Sequence, residues 1–215
     1  MNLRGLEYFR QDRDALKLGV LSLEQAQSPE KRLTATLAQA IVENYDRIIE
    51  CAEKGKPFLA NTYGNAPELL VVLDLPWFTI SQIPFLPMSE PHILDDIDEA
   101  ERAGLGTDMC TLIRLGINSV YSGRLPTPTA FIGLLSPCDG ANMLHNAIAN
   151  NKEWRNVPTF CNDPPYLESD RSVEFFADEL RRMVAFLEKQ TGAKLDFKRL
   201  REVIKESNKQ YELWA

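Results

Sequence analysis

Apolar residues near the start of the chain recur on a helical period. Leu33, Leu37, Ala40, Ile41, Ile48 and Ile49 fall on one face of a 3.6-residue repeat. Ser28-Pro29 supplies a start signal and Gly55, followed by Pro57, a stop. Residues 1–55 therefore read as a helical segment. The pattern then changes to short apolar runs. Pro57–Asn61 reads as a buried strand ending in the loop Thr62-Tyr63-Gly64-Asn65, Pro67–Leu73 as a short helix, and Leu75–Ile80 as a second strand. Three prolines make Ser81–Pro91 a loop. Helical stretches are expected over His92–Ala103 and Asp108–Leu115, with Gly116–Pro128 rich in loop signals. Thr129–Leu135 is the strongest strand and runs into Ser136-Pro137-Cys138-Asp139-Gly140. A helix to Ala149 follows, then a strand over Val157–Cys161 closed by Asn162-Asp163-Pro164-Pro165.

From Tyr166 the chain reads as helical to its end. One stripe contains Val173, Phe176, Ala177, Leu180, Val184 and Leu187. Thr191-Gly192 breaks it, and Asp196 caps a last helix whose face carries Phe197, Leu200, Val203, Ile204 and Tyr211. Both stripes are longer than a small sheet covers, and Trp214 adds a large ring. They are expected to dock on another domain or subunit, or else on the helix Leu33–Cys51. Short buried strands alternating with helices predict an α/β fold. The expected form is a small parallel, Rossmann-like sheet flanked by helices, with an N-terminal helical segment (1–55), a central α/β unit (56–165) and a C-terminal helix pair (166–215).

The 215 residues suffice for a full hydrophobic core without disulfide staples. A net charge of −7 leaves no basic excess for a nucleic-acid polyanion, so none is expected as a partner. No run approaches the ~20 apolar residues of a membrane span, and the N-terminus lacks a leader-like apolar stretch. The expected compartment is the cytoplasm, with no membrane partner. There, the four cysteines (Cys51, Cys110, Cys138, Cys161) read as metal-binding, catalytic or simply buried, not as disulfides.

In an open parallel sheet, ligands sit beyond the carboxyl ends of the strands. Cys138 and Cys161 each close a predicted strand, and Cys110 opens a helical stretch. Thiolates at helix N-termini suit a soft metal or an iron–sulfur cluster. Yet the spacings of 28 and 23 residues match no compact ligand motif, and burial as small hydrophobes fits as well. Asp139, Asn118 and Ser119 are placed either to orient a ligand or to cap helices. Asp163 and Tyr166 mark a rigid turn or a pocket rim. His145 reads as a satisfied core histidine or one that backs a ligand residue, and His92 as a surface one. Neither a phosphate-binding glycine loop nor a Gly-x-Ser-x-Gly elbow occurs.

An ordered set of segments goes further. Glu99–Gly104, Thr107–Thr111, Pro128–Phe131 with Ser136–Asp139, Trp154–Phe160, Asp163–Tyr166, and Thr191–Asp196 with Leu200 and Ser207 follow one another in a recognisable order. Together they resemble the 2-hydroxyacyl-CoA dehydratase and benzoyl-CoA reductase family, in its D-component type of subunit, over roughly Glu43 to Trp214. The resemblance implies a [4Fe–4S] cluster held by three cysteines with one iron open. It also implies an acyl-CoA substrate, a second dehydratase or reductase subunit, and an ATP-dependent activator that injects one electron to give a ketyl radical. Cys110, after the Glu101–Gly104 helix, and Cys138, before Asp139, match two ligands. Cys161 and Cys51 match none. The third cysteine is expected outside this chain, because family subunits are about twice its length and carry a second α/β domain. The family's Pro-Glu pair after the second strand is replaced here by Thr79-Ile80-Ser81-Gln82. Tyr63, Asn118, Ser119, Asp139 and Asp163 are the candidate substrate-binding residues. A non-catalytic domain that binds acyl-CoA or a partner after losing the cluster, and a small-molecule enzyme using Cys161 or Asp163, stand as alternatives.

Overall fold

The computed structural model of the protein describes all residues except 1–2, 27, 64, 81–92, 137 and 215, and the side chains of Leu3 and Trp214. The expected loop Ser81–Pro91, His92 and the Trp214 ring thus lie outside the described residues. Among the described residues four strands, β1 (Leu59–Asn61), β2 (Trp77–Thr79), β3 (Ala130–Leu134) and β4 (Thr159–Asn162), form one sheet in the order β2-β1-β3-β4. All three pairings are parallel. The helices among them are α1 (Leu3–Glu24), α2 (Pro29–Lys54), α3 (Pro67–Val72), α4 (Ile93–Arg102), α5 (Thr111–Tyr121), α6 (Asp139–Asn150), α7 (Asp170–Thr191) and α8 (Phe197–Trp214). The α/β expectation holds, with a parallel sheet, an N-terminal helical segment and a C-terminal helix pair.

Side chains alternate across the strands, and the alternation builds two cores. Ala60, Phe78 and Phe131 face α1, α2, α5 and α6, where they meet Phe9, Ile48, Ile113 and Leu144. Leu59, Ala130 and Ile132 face the other way, toward Leu70 of α3 and Met183 and Leu187 of α7. The first core is held by an aromatic column. Phe9 stacks on Tyr45 with centroids 4.1 Å apart, tilts against Phe78 at 5.4 Å, and Phe78 meets Trp154 edge-on. The column fastens α1 and α2 to the sheet through area burial and ring geometry.

Several expectations need correction. The N-terminal segment is a hairpin of two helices, and Leu33, Leu37 and Ala40 are exposed. The buried face of α2 runs through Ala35, Val42, Tyr45, Ile48, Ile49 and Ala52, because the partner it meets is α1 and not the sheet alone. The second strand is only Trp77–Thr79. Gly116 is not a loop signal. It lies inside α5, where a Cβ would stand 3.2 Å from the Ile80 side chain, so the glycine marks close packing. Tyr166 precedes the last helix pair. The helix starts at Asp170, where Ser169 Oγ accepts the Ser172 amide.

Nor do α7 and α8 pack on α2, which covers the opposite face of the sheet. Met183 and Leu187 of α7 lie on the second core, and α8 folds back on α3, where Ser207 Oγ donates to Glu68 at 2.6 Å. Val173, Phe197 and Tyr211 stay exposed on these helices.

Two substitutions test the aromatic column. Phe9→Ala removes a fully buried ring and should cost about 3–5 kcal/mol in urea unfolding. Tyr45→Phe should instead be neutral or stabilise by up to about 1 kcal/mol, because the buried hydroxyl has no hydrogen-bond partner among the described residues. Destabilisation by Tyr45→Phe would show that this hydroxyl is satisfied.

Candidate functional site

In parallel βαβ connections every helix starts at the carboxyl edge of the sheet. The chain goes from β1 outward to β2, then returns past β1 to β3. That reversal puts the topological switch point between β1 and β3, where an open α/β sheet leaves its ligand crevice. The loop after β1 fills the crevice floor. Thr62 N donates to Ile132 O at 3.2 Å, and Leu134 N donates to Thr62 Oγ1 at 3.0 Å. Asn65 Nδ2 donates to Gly133 O at 3.0 Å, and Asn162 Nδ2 to Asn65 Oδ1 at 3.1 Å. Both Thr62 and Asn65 are buried.

Above that floor the structure brings together Tyr63, Cys110, Cys138 and Asp139. Cys138 is the N-cap of α6 and Cys110 the N-cap of α5. The two helices pack against each other, and Gly140 lets their first turns meet. A Cβ there would stand 2.9 Å from Ile113 Cγ1 and 3.5 Å from Cys138 Sγ. Tyr63 Oη donates to Cys138 Sγ at 3.2 Å. That bond, with the Ala141 and Gly140 amides behind it, holds the Cys138 thiol below its ordinary pKa against the opposing effects of burial and Asp139. Burial, then the Cys138 contact and the charges of Cys138 and Cys110, push the Tyr63 phenol well above its ordinary range. Both sulfurs thus bear on one hydroxyl.

The position of Cys110 depends on α4. Arg114, buried one turn into α5, pairs with Glu101 at 2.6 Å, and Arg124 pairs with Asp96 and with Glu99 at 3.0 Å. Asn118 Nδ2 donates to Glu99 Oε2 at 3.1 Å, and Ser119 Oγ to Leu115 O at 2.8 Å. These last two side chains, candidates for substrate binding, are therefore engaged on α4 and on the α5 backbone, two turns below Cys110. Asp163 is exposed just beyond β4, at the same edge of the sheet.

Cys161 and Cys51 are of a different kind. Burial raises the Cys161 thiol to about 11, and its Sγ lies 3.4 Å from His145 Nδ1. His145 stands edge-on to Phe131, and its Nε2 is buried with no partner among the described residues, so it is not the fully satisfied core histidine expected. Only the missing side chain of Gly133 makes room for it, since a Cβ there would lie 2.2 Å from Nε2. Cys51 sits in α2, its thiol likewise raised by burial. Sequence reasoning missed the role of Gly140. The glycine in the first turn after Cys138 was the signal that could have found it.

Among the described residues no group of three His, Cys, Asp or Glu side chains converges as a metal site. The thiols of Cys110 and Cys138 at this edge are two donors, one short of the three cysteines a cluster of the expected kind needs.

The fold is a parallel α/β sheet in which cysteines cap two of the helices that follow its strands. The particular family follows from comparison: residues 85–215 match the family model described as 2-hydroxyglutaryl-CoA dehydratase, D-component. The chain belongs to that family. It is also 27% identical over 187 residues to a benzoyl-CoA reductase subunit of Thauera aromatica, a match covering 80% of this chain and 42% of that protein. The chain thus spans less than half the length of this curated relative. No helix among the described residues is long and apolar enough to cross a membrane.

The buried imidazole sets an acid limit on the fold. Burial lowers His145 to about 4, below its ordinary 6.5. Between those values the unfolded chain binds the extra proton, so stability is fully present above about pH 6.5 and falls as pH drops toward 4. The loss should be about 1–2 kcal/mol, since the ring keeps some solvent and screening reduces the effect. Chemical unfolding across that range should show the slope in the wild type and not in His145→Leu.

Proposed function

We propose that this chain is the cluster-binding part of a 2-hydroxyacyl-CoA dehydratase-type subunit, acting in the cytoplasm on an acyl-CoA thioester. Cys110 and Cys138 would hold two corners of a [4Fe–4S] cluster. The third thiolate would come from a second domain or subunit. The observation that carries the reading is the pair of cysteines capping two packed helices at the switch point, in a chain of this family. When bound, the cluster supplies one-electron chemistry and an open iron for a thioester carbonyl oxygen. What this chain's own residues contribute is placement. The α6 N-terminus sets the Cys138 sulfur in a region of positive potential, which favours its anionic form. Tyr63 and the Gly140 and Ala141 amides supply donors to that sulfur. Asp139 adds a carboxylate at the first turn of α6. Tyr63 and Asp163 stand at the carboxyl edge as contacts for an entering thioester.

A second reading, a benzoyl-CoA reductase-type subunit, is supported by the Thauera aromatica relative. Both readings need a partner subunit and an ATP-dependent electron donor. They differ in whether a β-hydroxyl is lost or an aromatic ring reduced. Assays of the assembled enzyme with each thioester class separate them.

Anaerobic reconstitution with iron and sulfide, with and without the partner chain, tests the core of the proposal. The isolated chain should retain little iron after desalting, because two thiolates leave the cluster open to water and oxygen. Addition of the partner should bring the content to about four irons per chain, the cubane stoichiometry. Cys110→Ala or Cys138→Ala should each abolish that gain, whereas Cys161→Ala should leave it intact. Full loading of a Cys110→Ala/Cys138→Ala chain would place the cluster elsewhere.

A further inference from the structure

We infer that Cys161 and His145 form a metal site of their own, which takes a single monovalent soft ion of the copper(I) kind between Cys161 Sγ and His145 Nδ1. The site uses neither of the helix-capping thiols and does not rest on the cluster reading.

Geometry brings the two donors together. Sγ and Nδ1 stand 3.4 Å apart. The sulfur is carried by β4 and the ring by the second turn of α6, so both donors are set on regular elements. A sulfur and an imidazole nitrogen sharing one ion, with bonds of about 2.3 and 2.0–2.1 Å, lie about 3.5 Å apart at a tetrahedral angle and about 4.3 Å apart when the angle is straight. An opening of at most about 1 Å therefore admits the ion. Gly133 of β3 makes the place for both side chains. A Cβ on it would lie 2.2 Å from His145 Nε2 and 3.0 Å from Cys161 Sγ. Ring and sulfur are thus laid over the same bare backbone, with Phe131 edge-on to the ring at 5.2 Å. Both side chains are half-buried, shielded but within reach of solvent.

The donor set then selects the ion. A thiolate and an imidazole suit soft and borderline metals. Among the described residues no third His, Cys, Asp or Glu joins them. Zinc asks for four ligands and would be left half-coordinated, whereas copper(I) is satisfied by two. Charge points the same way. Burial lowers the imidazole to about 4 and raises the thiol to about 11, so at neutral pH the empty pair is uncharged. On binding, Sγ and Nδ1 each donate an electron pair, the Sγ proton leaves to solvent, and no oxidation state changes. Copper(I) with one thiolate and one neutral imidazole carries no net charge, so the filled site costs little to bury. A divalent ion would leave one positive charge uncompensated away from water.

The test is anaerobic titration of the chain with copper(I) against a chromophoric copper(I) chelator. Cys110→Ala and Cys138→Ala are introduced first, because those thiols take copper(I) themselves. That chain should bind one ion, and X-ray absorption at the copper edge should show one sulfur and one nitrogen neighbour. Cys161→Ser and His145→Leu should each weaken binding by more than the roughly 10–100-fold lost when only a ligand's supporting partner is removed. Cys51→Ser should leave it unchanged. Binding that survives either ligand substitution, or copper held by sulfur alone, would overturn the inference. The otherwise wild-type chain gives a second reading should the background substitutions harm folding. There, Cys161→Ser should lower the bound copper by one ion per chain, and an unchanged stoichiometry would refute the site. Failure of the chain to take up iron with its partner would remove the cluster reading and leave this result standing.

Discussion

Each of the two sulfurs is carried by a helix that begins at the same edge of the sheet, because parallel strands all point their carboxyl ends to that edge. A shared edge alone does not bring them together. Two helix starts approach closely only if nothing projects between them, and Gly140 against Ile113 is where this chain meets that condition. The rest of the site depends on this contact. It fixes α6 relative to α5, hence Cys138 relative to Cys110, and α5 is in turn set by the pair between buried Arg114 and exposed Glu101 and by the Arg124 contacts to α4. With one partner open to solvent, that pair serves to orient the helix more than to stabilise it.

Much of the fold was legible because its strands are short, apolar and separated by helical periods. The parallel sheet follows from that alternation alone. The errors share a physical origin, since periodicity reports that a residue is buried but not against what. Leu33 and Leu37 continue the apolar repeat of α2 and face solvent, because α1 contacts the helix on another face. Gly116 reads as a break until Ile80 is seen to need the space. Cys110 and Cys138 were accessible through the resemblance and through their predicted helix-start positions. Gly133 and the His145–Cys161 contact it permits were not, since they depend on tertiary approach across 12 and 16 residues of sequence.

The same chain gives its cysteines opposite characters by simple means. Cys138 has amides and a phenol turned toward it, at the mouth of the crevice. Cys161 is one strand away, half-buried on β4 against an imidazole that is itself kept neutral by burial. Position at the strand end was common to both in the sequence. What separates them is the depth below the edge of the sheet.

The loop Thr62–Asn65 has a consequence for traffic. With Thr62 and Asn65 buried and bonded to β3, the gap between β1 and β3 is stoppered by the protein's own amides and hydroxyls. A crevice closed from below has a single mouth. Any ligand taken at that edge would have to come down on Tyr63 and the helix tips from outside the sheet, and would leave by the same route. A bulky reactant would therefore be threaded through by neither end and would present only its tip to the sulfurs, its remainder lying against whatever surface stands over the opening.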